Sequence, residues 1–173
     1  MSDLAAALMV AVRVHAGQVD KQGEPYLLHV LRVVEAVSNE AKVVAALHDC
    51  IEDGGDDGLR AVLSLDLSRR EGEAVKLLTH PARMGYANYV ESIAEADNPL
   101  AREVKLADLR DNLGRIPHPN PEVHGESSEA MTWEPLRRRY EQAIAVLTAA
   151  LPDEPRSADE VEAAKRYREG RFQ

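Results

Sequence analysis

Apolar residues recur every three or four positions along most of the chain, and no segment alternates with the period of two that a half-buried strand requires. Leu4, Leu8, Val12 and His15 mark a first helix to about residue 16. The segment GQVDKQGEPY then interrupts it, with Gly17 and Gly23 as breakers and Pro25 suited to the first turn of the next helix. That helix carries Leu28, Leu31, Val34 and Val37 on one stripe and stops near Ser38 and Asn39. A third, from about Glu40 to Asp53, is apolar on most sides and is expected to be central. The glycines and aspartates of GGDDG end it.

Shorter helices are predicted at about 58 to 65 and 69 to 79, bounded by Pro81, with another starting at Tyr86 and a long one from about Pro99 to Leu113. Residues 114 to 132 are rich in Pro, Gly, Ser and charge and read as a loop. A last helix from about 134 to 151 carries Leu136, Tyr140, Ile144 and Leu147. The expectation is an all-α, single-domain helical bundle over residues 1–151, followed by a charged helix or tail over 152–173.

Composition narrows the function. The 173 residues, 45% of them apolar, suit one globular domain. No apolar run approaches the roughly 18 residues that cross a bilayer. The opening MSDLAAALMVAVRVHAG has Asp3 where a secretory signal carries positive charge, so a cytoplasmic protein is expected. Cys50 is the only cysteine, which leaves nitrogen and oxygen ligands for any metal. The net charge of −9 opposes broad DNA or RNA duplex binding. An aromatic content of 4% opposes base-stacking platforms. A small anionic ligand remains compatible where a metal ion and a few cations reverse the local field.

The chemistry concentrates in AALHDCIEDGG, where His48, Asp49, Glu52 and Asp53 fall within six consecutive residues of an apolar segment. Helical spacing sets His48 over Glu52, and Asp49 over Glu52 and Asp53. Three carboxylates so close repel unless a cation neutralises them, and a divalent metal is the simplest remedy. An isolated His-Asp pair would read as a local hydrogen bond; the apolar setting and the second acidic pair weigh against that. Two further sites add to the pattern. His29 lies among Leu28, Val30 and Leu31, where a histidine alone more often is a satisfied core residue. Asp108 sits on an apolar-periodic helix, with Lys105 one turn earlier and Asn112 one turn later. A buried aspartate needs a partner, either a cation or a metal.

The ordered set HAGQVDKQGEPYLLH, HDCIED and KLADLRDNL resembles the HD-domain hydrolases of the RelA/SpoT type, including small hydrolase-only members that remove pyrophosphate from guanosine tetraphosphate. It is similar also to short bacterial HD proteins that carry a stretch like NPLAREVKLADLRDN. The likeness runs over about residues 4 to 113. It implies an HD-type fold and a metal site of His29, His48, Asp49 and Asp108, usually holding manganese. It implies that Glu52 and Asp53 position and activate the attacking water. Lys21, Tyr26 and Asn112 match substrate-contact positions, and Lys105 adds positive charge beside the site. The implied reaction is hydrolysis of a phosphorylated nucleotide, guanosine tetraphosphate first among them. A chain of this length leaves no room for the synthetase domain of the long relatives.

The sequence departs from the pattern at Asp20, where many such hydrolases have Arg; this keeps open a dinucleotide phosphate or a nucleoside monophosphate as substrate. Val30 and Gly54 replace a usual Pro and Thr and supply no ligand. A metal- and nucleotide-binding sensor without turnover is the reading from another class, and the presence of both Glu52 and Asp53 weighs against it. Remaining residues have plainer readings: His15 ties the loop down with Gln18 nearby, His80 caps a helix, and His118 and His124 are solvated. Arg137, Arg138 and Arg139 form a solvated face. Trp133 and Tyr140 anchor a core or an interface. A homodimer fits exposed helices on an apolar bundle.

Overall fold

A computed structural model of the chain describes residues 3–20, 22–116 and 128–150. The described residues are all-α, with eight helices and, besides them, one isolated antiparallel bridge between Val19 and Pro25. The helices are α1 (Leu4–Val14), α2 (Tyr26–Glu35), α3 (Lys42–Leu47), α4 (Cys50–Leu63), α5 (Arg69–Leu78), α6 (Tyr86–Glu95), α7 (Pro99–Gly114) and α8 (Ser128–Ala149). None of them is long and apolar enough to cross a membrane.

The chain divides into two compact units, Met1–Ala107 and Asp108–Gln173, and the division falls inside the continuous helix α7. In the first unit α3 is the centre, as its composition predicts. Val43, Val44, Ala45, Ala46 and Leu47 are all buried, and the helix touches α1, α2, α4 and α5. Asp3 caps α1 by accepting the amide of Ala5, and Ser68 and Glu71 form a capping box at the start of α5. The start of α7 is fixed by Asn98, whose amide donates to the Arg70 carbonyl and whose oxygen accepts the Ala101 amide. In the second unit Leu109 and Ile116 are buried, as are Ala143, Ala145, Val146 and Leu147 of α8, and Arg137 donates to the Ile116 carbonyl.

Five expectations change. The inward face of α2 is His29, Val30, Val33 and Val34, while Leu28 and Leu31 are each 43% exposed. The helix is apolar on two sides, and packing against α3 selects the narrower valines.

The segment expected as one helix over 40–53 is two. α3 ends at Leu47, and α4 begins at Cys50, with His48 and Asp49 at the junction. GGDDG does not end α4 but kinks it at Gly55, whose φ of 52° and ψ of −136° suit a residue without a side chain. The kink brings Gly58 so close to Cys50 that a Cβ there would lie 1.9 Å from the Cys50 carbonyl oxygen.

Residues 128–132, expected in the loop, already belong to α8, and the interior Pro135 does not end that helix. Residues 117–127, with His118 and His124, and the tail from 151 lie outside the described residues.

Arg137, expected on a solvated face, is half-buried through its bond to Ile116; Arg138 is exposed and pairs with Glu134 at 2.9 Å.

Candidate metal centre

The α3–α4 junction turns His48 and Asp49 away from helix capping and toward each other. Asp49 stands at the N-cap of α4 but makes no side-chain cap there. Its Oδ2 lies 2.8 Å from His48 Nε2 and 3.8 Å from His29 Nε2. His48 Nδ1 is 2.8 Å from the Ala45 carbonyl; a carbonyl only accepts, so Nδ1 carries the proton and, in the neutral ring, Nε2 bears a lone pair. The two Nε2 atoms of His29 and His48 are 3.3 Å apart. His29 reaches this point because α2 buries the face on which it sits, at 1% exposure.

Asp108 follows Ala107 on α7 and is buried. His29, His48 and Asp108 each offer one ligand atom, and these atoms all lie within 4.8 Å of one another. Converging lone pairs of this kind call for a proton or a cation between them. Two imidazole nitrogens with carboxylate oxygens suit a divalent ion of the manganese, iron or zinc kind. The surroundings also have the form of a ligand shell, in which three of the donors are oriented by a neighbour. Ala45 orients His48, Asn112 Nδ2 donates to Asp108 Oδ1 at 2.5 Å, and Tyr26 Oη donates to Asp49 Oδ2 at 2.6 Å. The residues present therefore fit a resident divalent metal.

The acidic pair diverges. Glu52 turns toward the end of α5, where its Oε2 accepts the backbone amide of His80 at 3.1 Å. Asp53 turns toward α1, where Oδ2 lies 3.6 Å from His15 Nδ1. Partial burial, then the nearby Asp49 charge, push the Asp53 carboxyl above its ordinary range, and His15 offsets part of this. Asp53 also opens on a cavity of about 670 Å³ whose other lining residues include Arg13, Asp57 and Arg60.

His15 is buried. Its Nδ1 is 2.8 Å from Gln18 Oε1, and its ring lies 4.9 Å from that of Tyr26. It thus holds the loop, as its position predicts, and in addition backs Tyr26 and Asp53. Nε2 faces Cys50 Sγ at 3.9 Å. Burial, then Asp49 and Asp53, push the Cys50 thiol up to about 12.

The residues matched to substrate-contact positions have these neighbours. Tyr26 is engaged with Asp49 and Asn112 with Asp108, which makes both supports of carboxylates. Lys105 places Nζ 5.3 Å from the centre of the Tyr89 ring. Lys21 lies outside the described residues. Asp20 caps its own loop, accepting the amides of Gln22 at 2.8 Å and Glu24 at 3.0 Å. His80 is not a helix cap: its Nε2 donates to the Met84 carbonyl at 2.8 Å, beyond the end of α5. The tie between Glu52 and the 79–85 turn escapes sequence reading, since no spacing links positions 28 residues apart.

No family model matches the chain. A GTP pyrophosphokinase of Myxococcus xanthus is 30% identical to it over 131 residues, a stretch covering 67% of this chain and 17% of that protein. The chain thus spans about a sixth of the length of this curated relative.

Proposed function

We propose that the protein is a metal-dependent hydrolase of phosphorylated nucleotides, of the HD type, with guanosine tetraphosphate as its leading substrate. The observation that carries this reading is the meeting of His29, His48 and Asp108 at ligand distance from one another, in a buried setting with Asp49 against both histidines. The similarity to a GTP pyrophosphokinase supports a guanine nucleotide, although that name denotes synthesis and the shared stretch is a small part of that protein. The three sequence motifs supply the hydrolytic assignment.

His29, His48, Asp49 and Asp108 would hold the ion, with manganese the metal the motifs favour. A divalent ion bound there supplies Lewis acidity, making water more acidic and offsetting charge on phosphoryl oxygens. The chain's own residues do the rest. Glu52, at the first turn of α4, accepts a proton from the attacking water or holds it in line with phosphorus. Asp53, the next residue, completes the acidic pair that the motif assigns to positioning and activating that water. Lys105 adds positive charge for a phosphate.

A second reading keeps the site and changes the nucleotide. Asp20 favours it: the carboxylate is spent on capping its own loop and supplies no cation for a nucleotide phosphate.

The test is manganese-dependent hydrolysis of guanosine tetraphosphate by the purified protein, with Asp108→Ala as control and products resolved chromatographically. Guanosine diphosphate and pyrophosphate, formed by the parent alone, are the expected result. Binding of nucleotide by manganese-loaded protein with no turnover of any nucleotide in a panel would replace the hydrolase by a sensor.

A further inference from the structure

We propose that His80 is a positioning residue for Glu52, acting through the turn between α5 and α6; the proposal rests on the hydrolytic reading above and deepens it. Glu52 is exposed, and a glutamate side chain in water samples many rotamers, most of them useless for holding a water in line with phosphorus. Its Oε2 accepts the backbone amide of His80 at 3.1 Å, and that one bond restricts it only as firmly as the amide itself is fixed.

The His80 side chain provides that fixity. Its Nε2–H donates to the Met84 carbonyl at 2.8 Å, which closes the turn across itself, and the Met84 amide donates to the Pro81 carbonyl at 2.9 Å. The imidazole lies against the Tyr89 ring, with centres 4.6 Å apart and planes at 37°, and edge-on to Tyr86 at 6.2 Å. Tyr89 is 2% exposed, and its hydroxyl donates to the Leu78 carbonyl at the end of α5. Lys105 sits over the same ring. A buried tyrosine thus anchors an imidazole, the imidazole closes a turn, and the turn presents an amide to the water-orienting carboxylate.

A residue acting only on stability would lower thermal stability and leave kinetics alone. Positioning predicts otherwise. In His80→Ala, kcat falls by about 10- to 100-fold, the cost of a slightly misplaced catalytic group. KM and Mn²⁺ affinity change by no more than about twofold, because no ligand or substrate contact is removed. His80→Gln, whose amide still donates to Met84, regains part of the lost kcat and serves also if the alanine variant fails to fold.

The second arm needs no activity. Hydrogen exchange at the residue 80 amide accelerates about three- to tenfold in Glu52→Ala and in folded His80 variants, as loss of one hydrogen bond requires, while Val75 and Val90 amides keep their rates. Parental exchange at residue 80 in Glu52→Ala, or parental kcat in a folded His80→Ala protein, overturns the proposal. Should the parent itself hydrolyse no nucleotide, the hydrolytic reading falls, and the exchange rates still decide whether His80 holds Glu52.

Discussion

Tyr26 donates its phenolic hydrogen to Asp49 Oδ2 at 2.6 Å, across 23 positions of sequence. The same carboxylate oxygen is the one that faces His48 and His29. Removing the hydroxyl in Tyr26→Phe leaves the ring packed against His15 and frees Asp49 to rotate. Mn²⁺ affinity is expected to fall by about 10- to 100-fold, the usual cost of a lost supporting bond around a metal ligand. Calorimetric titration decides this, and parental affinity would show that Asp49 is held without its tyrosine.

Glu52→Gln keeps the size of the side chain and an oxygen able to accept the His80 amide, but loses the charge that receives a proton. Metal binding should persist while turnover falls by about 100- to 10,000-fold. Turnover at the parental rate would remove Glu52 from the water-activating role.

The raised carboxyl of Asp53 has a definite sign in stability. Its folded pKa stands above the unfolded value of 3.8, so its contribution is fully present below that value and is lost as pH rises through the folded pKa. In metal-free protein, Asp53→Asn should therefore melt higher than the parent at pH 7, with the gap closing as pH falls toward 3.8. Melting curves across pH check this; a parent that gains on the variant between pH 4 and 7 contradicts it.

Gly58→Ala forces a methyl group into the Cys50 carbonyl oxygen, which a backbone atom cannot avoid by changing rotamer. The expected loss is about 1–3 kcal/mol or more, read from denaturant unfolding. Gly72→Ala, on α5 and with nothing near the added carbon, is the matched control and should be neutral or slightly stabilising.

Cys50, buried and with its thiol pushed up to about 12, should resist iodoacetamide at pH 8 in the folded protein and react once guanidinium unfolds it. Rapid labelling under native conditions would mean that the α3–α4 junction opens readily.

The helical class, the places of most helices and the cluster at 48–53 are legible along the chain, because apolar periodicity and Gly or Pro breakers are local properties. His29 and Asp108 also stand out, since a polar residue inside an apolar stripe is visible without a fold. Tertiary structure decided the rest. Leu28 and Val30 are equally apolar, and only contact with α3 turned the valine inward and carried His29 with it. Gly55 could have ended a helix; that α4 resumes beyond it depends on Gly58 finding room against Cys50. Glu52 and Asp53, adjacent in the chain, part toward different partners, the His80 amide and His15, which lie far from them in sequence. That Tyr26 meets Asp49 and that Lys105 lies over Tyr89 is likewise decided in three dimensions. A spacing rule gives the residues that share a face; which group a side chain meets there is set by long-range packing.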